Sequence, residues 1–79
     1  MYNEIFTIAE VNQYKFEAIV NTFLKKKWSI MRINMTTVEL KAGWSVLWSA
    51  IMERKDGIGE AKIIERRAIE EYLAQKEER

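Results

Sequence analysis

The chain has 79 residues, no cysteine, histidine or proline, and thirteen lysines and arginines against twelve acidic residues, for a net charge of +1. Disulfides and Cys/His zinc sites are excluded by composition, no metal or cofactor is expected, and no whole-molecule field exists to attract nucleic acid, membrane or an acidic ligand. A domain this small buries only ~60–65% of the surface its unfolded chain exposes, so it needs either very dense packing or association with other chains.

Residues 2–11 are rich in β-branched and aromatic side chains and predict a first strand, with Ile5, Phe6, Ile8 and Val11 spread over both faces. Asn12 is placed to cap a helix. Phe16, Ile19, Val20, Phe23 and Leu24 then follow the i, i+3, i+4, i+7, i+8 spacing, so the helix is expected to end near Lys26. Lys25, Lys26 and Lys27 complement the negative end of its dipole, by about 0.3–1 kcal/mol each.

Trp28 opens a second extended run to about residue 37, and a turn at Lys41, Ala42 and Gly43 returns the chain, with Gly43 suited to positive φ. The third run, residues 44–54, alternates Trp44, Val46, Trp48, Ala50 and Met52 on one face with Leu47 and Ile51 on the other. Such a strand belongs at the centre of a sheet covered on both faces, and the first helix can cover only one. From residue 60 onward the chain is rich in Ala, Glu, Lys, Arg and Leu with helical periodicity, and Ala61, Ile64, Ala68, Ile69 and Tyr72 share a stripe. This helix is expected to cover or bridge the second face, from its own chain or from a neighbour. Gly57-Ile58-Gly59 is read as its hinge, which also permits exchange of the helix between subunits.

The expected fold is therefore α+β: a three-stranded, mostly antiparallel sheet in the order strand-helix-strand-strand, with a long C-terminal helix. Residues 1–56 form the strand-helix-hairpin domain, and residues 57–79 form an amphipathic helix that belongs to the same domain or serves oligomerisation. No apolar run approaches the ~18–20 residues that span a bilayer, and Glu4 and Glu10 stand where a signal peptide would be basic. The expected location is the cytoplasm.

Val20-Asn21-Thr22-Phe23-Leu24-Lys25-Lys26-Lys27-Trp28, followed by Trp48-Ser49-Ala50-Ile51-Met52-Glu53-Arg54, resembles a family of short bacterial and phage domains of unknown function. The family pattern is strand, helix and hairpin, with "VN..L...GW" closing the helix and a "QAM..R"-like last strand. The likeness covers about residues 2–54 and implies fold, not activity. One departure is informative: Lys27 stands where the pattern has the glycine of a left-handed helix terminator, at a cost of about 1 kcal/mol if that geometry is kept.

Two surfaces are candidates for function. Lys25, Lys26, Lys27, Arg32 and Lys41 around Trp28, a local charge of +4 with Glu39 counted, could hold a phosphate and stack a base. The favoured explanation of the same lysines is a solvated helix end, with Trp28 as a core residue. Trp44, Val46, Trp48 and Met52, with Ile64, Ala68 and Tyr72 of the last helix, form the expected oligomer interface or the core beneath that helix. Ser29, Ser45 and Ser49 have no histidine to activate them, and Gly57-Ile58-Gly59 lacks the third glycine of a dinucleotide fingerprint.

The functional reading is a small non-enzymatic binding protein, possibly phage-encoded in view of the resemblance, that occludes a host protein or protein complex such as a bacterial defence complex. A homo-oligomer, most simply a dimer, is expected. The alternative is oligomeric sequestration of a small anionic, nucleotide-like ligand, or nucleic-acid binding.

Overall fold

The computed structural model describes residues 3–57 and 59–77, in the order β1 (Asn3–Glu10), α1 (Gln13–Lys25), β2 (Ser29–Leu40), β3 (Gly43–Lys55) and α2 (Ala61–Glu77). The α+β class, the element order and the central position of β3 agree with the sequence reading: the sheet order is β1-β3-β2 and both pairings are antiparallel. Tyr2, Ile58 and the last two residues, all included in the expected elements, lie outside the described residues.

Local chemistry sets the boundaries. The Asn12 side chain accepts from the Tyr14 and Lys15 amides at 2.9 and 3.1 Å, so two otherwise unpaired donors of α1 are satisfied. At the other end Lys27 adopts φ 69°, the Trp28 amide reaches back to the Phe23 carbonyl at 3.1 Å, and the Lys27 amide reaches Leu24 at 3.1 Å. That double closure is a Schellman terminator, and Phe23 meets Trp28 edge-on at 5.1 Å across it. The hairpin turn holds Lys41 and Ala42 between the paired Leu40 and Gly43, with Gly43 taking φ 123°.

The core lies on one side of the sheet. Phe16, Ile19, Val20 and Phe23 of α1 press onto Ile8, Ala50 and Met52, all buried, and Phe6 stacks on Phe23 at 5.7 Å. The expectation that α2 covers the opposite face is corrected. Its Ala61, Ile64 and Ala68 join this same core, and α2 packs principally against α1. The reason is the connection. Asp56 and Gly59 take left-handed φ values of 59° and 80°, and the Glu4 carboxylate of β1 accepts from the amides of Gly59 at 2.9 Å and Ala61 at 3.3 Å. A carboxylate at a helix amino terminus is favourable, so Glu4 anchors α2 at the β1 end of the helical layer. Gly57 passes so close to Glu4 that a Cβ there would overlap the Glu4 side chain. The result is two layers, helices over sheet, 44 × 31 × 15 Å. The face that presents Ile5, Thr7, Leu47 and Ile51 has no element packed on it among the described residues.

Candidate binding surface

The hairpin outruns the rest of the fold. β1 pairs with β3 only along residues 48–55, whereas β2 stays paired with β3 to Leu40 opposite Gly43. Beyond the Met35–Trp48 pair the chain is a two-stranded arm about 17 Å long. Register fixes what each face shows. Ala50 and Met52 face the helices, so their cross-strand mates and the residues two apart do so too: Ile33, Met35, Thr37 and Glu39 of β2, and Trp44, Val46 and Trp48 of β3. Near the helices this row is sheltered, Trp48 packing on Phe16 with ring centres 6.1 Å apart. Toward the tip it is not: Trp44 is 72% exposed and Met35 58%. A shallow groove of about 220 Å³ between α1 and β2, lined by Phe16, Val20, Ile33 and Trp48, joins the sheltered part to the bare one.

The residues expected to form a cationic cluster are not brought together. Lys25, Lys26 and Lys27 are exposed at the end of α1. Trp28 is only 3% exposed, wedged against Phe23, and cannot offer a face to a base. Its indole nitrogen finds no hydrogen-bond acceptor among the described residues. Arg32 is registered opposite Ile51 and so lies on the sheet face away from the helices. Lys41 sits in the hairpin turn, about 40 Å along β2 from Ser29. The neighbours of Lys27 are instead Ser29, Glu53, Arg54 and Lys55, around a cleft of about 420 Å³. Two of the charges there have partners within the chain: Glu53 accepts from Asn3 at 2.6 Å and Arg54 lies 3.9 Å from Glu60.

The expected interface set also divides. Met52, Ile64 and Ala68 are enclosed in the chain's own core and are not free to meet a neighbour. Trp48 is half-buried against Phe16, and Tyr72 is half-buried, its hydroxyl accepting from Asn12 at 3.4 Å. Trp44 and Val46 are left on the exposed arm. The sequence reading placed Ile33 and Met35 in the second strand without singling them out as binding candidates, and left out Leu40 because it ended that strand near residue 37. The alternation through Val38, Glu39 and Leu40 up to a two-residue turn was the signal that the hairpin is longer.

Among the described residues no three acidic, histidine or cysteine side chains converge as metal ligands, and no helix is long and apolar enough to cross a membrane. No family model matches the chain, and no curated protein or solved structure matches it either.

Proposed function

We propose that this chain is a small non-enzymatic binding protein that acts by occluding a surface of another protein, and that the hairpin arm makes the contact. The observation that carries the reading is Trp44, 72% exposed, with Glu39 opposite it and the exposed Val46 and Met35 farther along the same face of the arm. Folding gains little from an indole this exposed, whereas Trp and Met are enriched in interface centres, where one aromatic anchor is worth about 2–4 kcal/mol. A two-stranded arm standing clear of the body can enter a concave site that the body itself cannot.

The partner class we propose, a protein complex of bacterial defence, is supported by the likeness of residues 2–54 to phage domains. Sequestration of a nucleotide-like ligand and nucleic-acid binding are not proposed, because Trp28 is buried and Arg32 and Lys41 lie away from the lysines of α1.

The test is phage plating on lawns that carry individual defence systems and express the chain. Wild type is expected to restore plating on at least one lawn. Trp44→Asp with Val46→Asp is expected to abolish the effect, and the triple change Lys25→Glu, Lys26→Glu, Lys27→Glu is expected to keep it. Loss with the lysine changes and retention with the arm changes would overturn the assignment of the arm. Restoration on no lawn would overturn the defence complex as target.

A further inference from the structure

We infer that the outer edge of β2 is the docking site for a second copy of this chain, the two β2 strands pairing antiparallel about a twofold axis through Met35 to make one six-stranded sheet. This goes beyond the occlusion reading and does not depend on it: the pairing lays residues 35–40 of each arm against residues 30–35 of the second copy's β2, and leaves open the sheet face that carries Trp44.

Among the described residues β2 is bonded to a strand on one side only, so its outer row of amides and carbonyls is not engaged by another strand; at its middle the Met35 amide donates to the adjacent Asn34 side chain at 3.1 Å, a local contact that pairing would replace. Natural edge strands are commonly blunted by shortness, proline, inward charges or bulges. Here the strand is long, has no proline, and shows one register irregularity, between Ile30 and Arg32, which leaves residues 32–40 as a regular ladder. The opposite edge is different. β1 has eight residues, and its Glu4 and Glu10 are engaged with the start of α2 and with Lys15 at 3.1 Å.

Much of the exposed surface of β2 is apolar: Ile30, Met31, Ile33 and Met35 are all exposed, as is Leu24 near the end of α1. Together they show on the order of 500 Å² of apolar side chain, at the upper end for a free monomer and a large part of the ~800 Å² that each partner buries in a stable complex. The strand is also compatible with itself. With the axis at Met35, Ile33 faces Thr37 of the second copy, Asn34 faces Thr36, and Arg32 faces Val38, so no like charges oppose each other. An axis at residue 34 cuts the regular ladder to residues 32–36, and an axis at residue 36 sets Ile33 within the ladder against Glu39, whereas the axis at Met35 keeps residues 32–38 regular and sets Glu39 against Met31, at the irregularity. An isologous pair of this kind closes both β2 edges at once.

The absence of cysteine from the chain gives a direct test. Residues opposed in an antiparallel ladder have Cα atoms about 4.5–5.5 Å apart, inside the range that a disulfide bridges. Met35→Cys is expected to oxidise to a covalent dimer at micromolar concentration, whereas Thr7→Cys, exposed on β1, is expected to stay monomeric under the same conditions. In sedimentation the wild-type chain is expected to show a dimer mass that rises with concentration, and Ile33→Lys with Met35→Lys to show a monomer with an unchanged circular dichroism spectrum. Cross-linking of Thr7→Cys as readily as Met35→Cys would overturn the inference. So would a wild-type chain that stays monomeric at every concentration, or a dimer that survives both lysines. These readouts need no partner protein, so their failure is distinct from a failure of the plating assay.

Discussion

Lys27 holds a backbone conformation that the sequence pattern anticipates and its own side chain disfavours. Its φ of 69° costs a non-glycine residue about 1–2 kcal/mol, partly recovered because lysine has less freedom than glycine to lose on folding. Lys27→Gly is therefore expected to stabilise the fold by about 1 kcal/mol, raising Tm by about 4–8 °C in a domain of this size. A thermal melt checks this, and a lower Tm for the glycine variant would contradict the terminator geometry. Glu65 gives a pH-dependent counterpart. Burial raises its pKa above the ordinary 4.5, and repulsion by Glu10 adds to the rise, while Lys15 and Lys62 oppose it. A carboxyl with a higher pKa folded than unfolded favours the fold when protonated, so its contribution is best below 4.5 and is lost as pH rises through the folded value. Glu65→Gln is expected to melt above wild type at pH 7, with the gap closing toward pH 4, and a gap independent of pH would contradict this. At this scale legibility depends on reach. Asn12 was readable as a cap because its acceptor role involves amides two and three residues on, whereas Glu4 meets amides 55 and 57 residues away and nothing local announces it.

The elements were legible wherever one period settles the matter. The stripe of α1 is buried at Phe16, Ile19, Val20 and Phe23 as its spacing requires, and only Leu24 is left exposed. For α2 the buried residues were readable but their neighbour was not, because an amphipathic stripe states that something covers it without stating what. The deciding facts are the left-handed Asp56 and Gly59 and the remote Glu4 contact, which place the helix beside α1. Since Ile64 packs inside its own chain, Ile64→Ala is expected to cost about 2–5 kcal/mol in chemical denaturation, independently of protein concentration. Ile63→Ala, on the exposed side of α2, is expected to change stability by no more than about 0.5 kcal/mol. Equal effects at the two positions would contradict the packing of α2.

For the molecule as a whole, both helices share one face of the sheet, so the chain closes a core with one side of three strands and leaves apolar side chains exposed on the strands as well as on the helices. Those on the strands lie on the uncovered sheet face, the β2 edge and the arm. The surplus of apolar residues was visible in the composition, but its location was not, since that depends on which face α2 chooses and on how far the hairpin outruns β1. The candidate site moved for the same reason: a cluster assembled from residues close in sequence, 25–41, is spread by an extended strand over about 40 Å and two sheet faces. The central claim is that the arm, not the basic end of α1, meets the partner. The most direct measurement is the ¹H–¹⁵N spectrum of the labelled chain with and without the defence complex whose lawn it rescues, read at the three tryptophan indoles and at the amides of Lys25, Lys26 and Lys27. The expected result is that the Trp44 indole shifts or broadens beyond detection while Trp28 and the lysine amides hold their positions. A sharp, unmoved Trp44 with shifted lysine amides would contradict the account.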